Sequence, residues 1–167
     1  MTAQIAEKLT YQGHTYSMCT QPLDDYFSLA DVDPGFDTRS CTALWRGYVG
    51  SWEIRDDRLY LVGLNASREN GSPASLADIF PDFPDRVFAH WYTGWLRVPQ
   101  GKMLEYKHMG YASVFEEDLF ITIDKGVVTD THVQSNGTSD EHGAPEGYGV
   151  GAMTVFPRKQ PGEMDEP

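Results

Sequence analysis

The sequence predicts a mainly β fold: an antiparallel, strongly curved sheet or small barrel with one or two short helices. Three observations carry this expectation. Hairpin patterns follow one another along the chain, each broken by a short polar or glycine turn. Only two stretches, near Pro22 and Ser75, read as helix, and both are short. The block 86–124, RVFAHWYTGWLRVPQGKMLEYKHMGYASVFEEDLFITID, is dense in aromatics and alternates as strands do. It holds one clear turn, Pro99-Gln100-Gly101, and two of the five histidines.

The first hairpin joins 8–11 to 14–18 through Gln12-Gly13. Leu9, Tyr11, Tyr16 and Met18 supply its apolar side, and a two-residue turn ending in Gly suits the tight connection. Residues 22–27 read as one helical turn, with Pro22 early and Asp24 and Asp25 where the dipole favours acids. Residues 31–40, DVDPGFDTRS, are a loop by composition.

Residues 45–64 form the next hairpin, turning at Asp56-Asp57. Arg46, Tyr48, Gly50, Trp52 and Ile54 share one face by alternation. Gly47 and Gly50 mark bends or close backbone approaches. A polar loop over 65–73 leads into a short helix at 75–80, capped by Ser72 or Ser75 and stopped before Pro81. Residues 87–98 then read as a long central strand, apolar on both faces and broken, if anywhere, at Gly94. Pro99-Gln100-Gly101 turns the chain into 103–109. A last hairpin runs 119–123, Asp124-Lys125-Gly126, 127–133. Residues 134–151 are predicted irregular, and 153–156 a final edge strand. The expected organisation is one β-rich domain over 1–156 and a flexible polar tail over 157–167.

A hydrophobic fraction of 40% in 167 residues provides a core and rules out global disorder. The start, MTAQIAEKLTYQGHTY, has no apolar leader pattern, and no run approaches the roughly 20 apolar residues of a membrane span. A cytoplasmic protein is therefore expected. Cys19 and Cys41 lack metal-ligand spacing and read as reduced thiols; only their even number speaks for a disulfide. The net charge is −12, and residues 111–167 hold eleven acids against three bases. That balance excludes a nucleic-acid footprint and a polybasic membrane anchor. It suits a basic protein partner, a cation, or simple solubility.

The strings LWRGYVGSWEI, DRLYLVGL and FPDRVFAHWYTGWLRVPQGKMLEYKHMGYASVFEEDLF resemble a set of small, functionally unnamed bacterial β-rich proteins. The resemblance covers about residues 8–130. It implies a bacterial or phage setting and a cytosolic domain, and it carries no activity with it.

Candidate ligand-pocket residues are Arg46, Trp52, His90, Tyr92, Tyr106 and His108. If Pro99–Gly101 closes a hairpin, His90 and His108 lie on neighbouring strands, two positions out of register. With Glu116 or Glu117 they would form an acid–base or metal cluster. The plainer reading makes them buried donors among aromatics, with His90 the less accessible. Arg46 between Tyr48 and Trp52 suits a clamp for phosphate or carboxylate. It equally suits an internal ion pair with Glu116 or Asp118. Tyr92, Tyr106 and Tyr111 line a pocket or are ordinary core. Residues 135–143 carry hard-cation ligand types without the EF-hand pattern and read as a solvated loop. Gly147, Gly149 and Gly151 lack a dinucleotide-binding context. No metal or cofactor is called for.

Catalysis is left open. The favoured function is an acidic cytosolic protein-binding module, of the immunity, antitoxin or anti-defence inhibitor type. Glu116, Glu117 and Asp118 are the candidate partner-binding acids, and an exposed acidic-aromatic patch would support this class. The alternative is a small-ligand-binding β-barrel or enzyme with a His/Tyr-lined pocket, which convergent histidines in an open cavity would support.

Overall fold

The computed structural model describes residues 2–137. The fold is mainly β, with nine strands in one mixed sheet and two helices among the described residues. The expectations for 153–156, for the tail, for the three glycines near 149 and for most of 135–143 lie outside them.

β1 (Glu7–Tyr11) and β2 (His14–Met18) form the first hairpin, with Gln12 and Gly13 both at positive φ as a tight mirror-type turn demands. α1 (Pro22–Ala30) extends beyond the expected single turn to nine residues. Pro22 opens it, Asp24 and Asp25 sit in its first turn, and Leu23 is buried beneath it. The chain then returns so that β3 (Tyr48–Arg55) runs parallel to β1, with Leu9 beside Trp52. A hairpin pattern cannot announce a parallel pair, because its partners are joined by a long crossover. This pair makes the sheet mixed rather than antiparallel.

β4 (Arg58–Ser67) pairs with β3 and carries two short strands besides, β5 (Pro73–Ala74) and β6 (Val87–Phe88). α2 (Leu76–Ile79) is closed by a reciprocal Ser75–Asp78 capping box.

Two expectations for the aromatic block are corrected. The long strand over 87–98 breaks after Phe88, because Tyr92 N–H turns back onto Ala89 O and Gly126 N–H takes Tyr92 O. The Pro99–Gly101 hairpin does not form. β7 (Gly94–Glu105) runs straight through it, with irregular register against β8 (Val114–Asp124) between Gln100 and Met103. Among the described residues β7 has only β8 beside it in the sheet, so the missing Pro99 N–H breaks no ladder bond on its other side. Gly101, at φ 80°, absorbs the irregularity. β8 turns at Lys125-Gly126 into β9 (Val127–Ser135) as expected.

The order is β2-β1-β3-β4-β9-β8-β7. β4 and β9 share only the Arg58–Val127 pair, because β6 occupies that side of β4 at Tyr60 and Leu61. At the other seam, Cys19 N–H reaches Arg97 O at 2.8 Å and Arg97 N–H reaches Thr20 Oγ1 at 2.9 Å. No ladder continues from these two bonds. Among the described residues the sheet is not closed, so the barrel expectation is corrected too.

Leu9, Met18, Trp52, Leu61, Leu96 and Ile121 belong to one buried cluster, onto which Phe27 and Trp91 pack. No helix among the described residues is long and apolar enough to cross a membrane. Cys19 is half-buried, Cys41 is exposed, and no disulfide joins them.

Candidate functional site

Beyond Val127 and Val128, β9 leaves the body of the sheet. Residues 130–135 pair with β8, beyond a register shift that leaves Thr129 unmatched, and have no backbone partner on their other side among the described residues. Asn136 N–H bonds Glu116 O on β8. Backbone groups alternate sides along an antiparallel strand. Counting back from Asn136, His132 and Gln134 address β8, whereas Thr131, Val133 and Ser135 point their N–H and C=O groups outward.

Register fixes the two faces. The row Val98–Leu119–Val133 crosses β7, β8 and β9 on the core face and ends at Val133, which is 53% exposed. On the opposite face, Trp95–Thr122–Asp130 ends at an exposed carboxylate. Beside it, His132 stacks on Phe120 at 5.2 Å, and Trp95 meets the edge of Phe120 at 5.1 Å. The span 114–135 holds five acids and one lysine.

Two buried ion pairs stiffen the frame. Arg97 Nε donates to Asp118 Oδ1 at 2.8 Å, and Asn136 Nδ2 donates to Asp118 Oδ2 at 2.9 Å. The second bond ties the end of β9 to β8. Arg97 Nη1 also donates to Tyr111 O. Glu7 accepts from Arg46 Nη2 at 2.6 Å, from Gly50 N–H at 2.7 Å and from Trp52 Nε1 at 3.2 Å. Burial pushes both carboxyls above their ordinary values, while their arginine partners and the other donors pull against it. Burial also pushes the Cys19 thiol up, and the Tyr111 hydroxyl up to about 12.

The six sequence-selected pocket residues do not share one site. Arg46 and Trp52 meet through Glu7, which places Arg46 in an ion pair with neither Glu116 nor Asp118. Tyr106 and His108 are joined by a 2.7 Å bond between the hydroxyl and Nδ1, at the rim of a depression of about 200 Å³. Tyr92 is buried and donates to Trp95 O. His90 is exposed, edge-on to Trp91, and not the inaccessible residue expected. The broken strand and the absent Pro99 hairpin remove the ladder that was to bring His90 toward His108. Of the candidate partner-binding acids, Glu117 is exposed. Glu116 receives Lys102 N–H, and Asp118 is buried against Arg97. No group of three or more potential metal ligands converges among the described residues.

A groove of about 500 Å³ lies between the 37–47 loop and the outer side of β1, β3 and β4. Lys8, Asp37, Ser40, Cys41, Val49 and Asn65 are among its lining residues. The loop is pinned by Ile5 N–H on Ala43 O, Gln4 Nε2 on Thr42 O and Asp37 N–H on Ser67 O. None of the six pocket candidates lines it.

Sequence reasoning missed Glu7, Arg97 and the outward groups of β9. A lone acid before an apolar strand gives no sign of its partner. For β9 a signal existed, since VVTDTHVQS is polar on both faces, as exposed edge strands are. Comparison with family models, with curated proteins and with solved structures gave no match.

Proposed function

We propose that this protein is an acidic, cytosolic, stoichiometric binder of another, basic protein, of the immunity, antitoxin or anti-defence inhibitor type. It takes a strand of its partner along β9. The observation that supports this reading is the row of outward backbone groups at Thr131, Val133 and Ser135. Unpaired strand edges template a further strand, and main-chain bonds supply affinity with little dependence on side chains. Asp130 and Glu117 flank the edge and favour a cationic partner during approach.

The test uses two proline variants. Val133→Pro removes an outward N–H and is expected to keep the fold. His132→Pro removes an N–H directed to β8 and is expected to unfold the hairpin. Wild type and Val133→Pro are then used as baits in a bacterial lysate. The proposal expects a specific basic protein on the wild type and its loss from a folded Val133→Pro. Identical recoveries, or none, contradict it.

One observation favours a small-ligand reading, the preformed groove beneath the 37–47 loop. Its volume lies in the range of small-molecule sites. Thermal-shift screening that stabilises the wild type, and stabilises an Asn65→Trp groove variant far less, would favour that second reading.

A further inference from the structure

The rows that end on β9 carry information about the strand that would pair with it. We infer that the partner segment runs antiparallel to β9 and carries an apolar residue followed, three positions later, by lysine or arginine. This inference rests on the edge reading above and specifies its partner.

Strand parity sets the pattern. Val133 and Asp130 are three residues apart and lie on opposite faces, through their pairings with Leu119 and Thr122. A strand added beside β9 keeps cross-strand neighbours on the same face. Its residue opposite Val133 therefore lies on the core face, where it would lengthen the row Val98–Leu119–Val133 and cover the exposed valine. Only an apolar residue gains from that position. Its residue opposite Asp130 lies on the other face, at the end of Trp95–Thr122–Asp130. A cation there meets an exposed carboxylate, whereas an acid would be repelled. The residue between them on that face, opposite His132, meets an imidazole over Phe120 and tolerates a small polar group.

Direction follows from the outward groups. An antiparallel partner makes bonds perpendicular to the strands, in pairs with single β9 residues, and is slightly more stable per residue than a parallel one. In the antiparallel sense the apolar residue precedes the cation. In the parallel sense the order reverses.

The full chain, labelled with nitrogen-15, is titrated by NMR with two peptides of identical composition. The forward peptide is Thr-Thr-Ile-Thr-Val-Lys-Thr-Thr, and the second is its reversed sequence. The inference expects shifts centred on the Thr131, Val133 and Ser135 amides, with the forward peptide binding about three- to fivefold more tightly. Asp130→Asn should erase that preference without removing binding. Equal binding at β9, or tighter binding of the reversed peptide, overturns the pattern and leaves the edge reading standing. No shift on β9 with either peptide overturns both. Concentration-dependent β9 shifts without peptide would assign the edge to a second copy of the chain, and would also overturn the inference.

Discussion

Arg97 and Asp118 face each other across 2.8 Å on neighbouring strands, both almost fully buried. The bond joins β7 to β8, and Asn136 extends it to the end of β9. The edge that β9 leaves open among the described residues is therefore held from behind.

Replacing Arg97 by Met leaves a buried carboxylate without its cation. The expected cost is about 3–5 kcal/mol at neutral pH. Asp118 already lies above its ordinary value through burial, and loss of Arg97 raises it further. A carboxyl raised in the folded state adds stability that is full below its unfolded value and is lost as pH rises through the folded one. The deficit of Arg97→Met relative to wild type should thus widen from acid to neutral pH. Urea denaturation of both proteins across that range checks the sign, and a gap that narrows with pH contradicts it.

Gly126 and Gly13 separate crowding from backbone strain. Both have positive φ. A Cβ at Gly126 would sit 2.7 Å from Ala89 O and from the Phe88 ring, whereas one at Gly13 meets nothing within 4 Å. Gly126→Ala is expected to cost about 2–4 kcal/mol and Gly13→Ala about 1 kcal/mol. Equal losses would show that the junction of β6 with the β8–β9 turn is looser than described.

Much of the fold was legible in the residues, and the reasons for what was not are local. Gln12-Gly13, Asp56-Asp57 and Lys125-Gly126 announce their hairpins because each needs unusual φ, which few residue types supply. Ser75 and Pro81 announce α2 in another way, the first by capping its start and the second by stopping its end. Pro99-Gln100-Gly101 misled because Pro followed shortly by Gly suits a bulge on an edge strand as well as a turn. Whether a strand lies at an edge depends on distant neighbours, as β9 parts from β4 because β6 takes that side of β4. The site was less legible. Arg46 and Asp118 stand out in the sequence as charged residues beside apolar ones, but their partners Glu7 and Arg97 are 39 and 21 residues away in the chain. Alternation alone puts His90 on a strand face, and the Ala89–Tyr92 turn interrupts that alternation.

The two thiols should react differently. Cys41 is exposed, while Cys19 lies beside Arg97 with its thiol pushed up by burial. Thiolate is the reactive form. A maleimide is expected to label Cys41 in the native protein and Cys19 only with unfolding, as read by intact mass. Equal rates would contradict the packing at the β2–β7 seam.

Charge at the edge should act on association more than on stability. Glu117→Gln with Asp130→Asn is expected to slow association with a basic partner and flatten its salt dependence. Unfolding free energy should change by less than about 1 kcal/mol, since both groups are exposed. An unchanged rate across salt concentrations would remove these acids from the encounter.

The most direct measurement is amide hydrogen exchange along β9 in the unliganded protein, resolved residue by residue. The account expects an alternation. His132, Gln134 and Asn136 should be protected by β8, while Thr131, Val133 and Ser135 exchange near the rate of an open chain. Uniform protection over 131–136 would mean that the outer edge is already paired, and would contradict the claim that β9 awaits a partner strand.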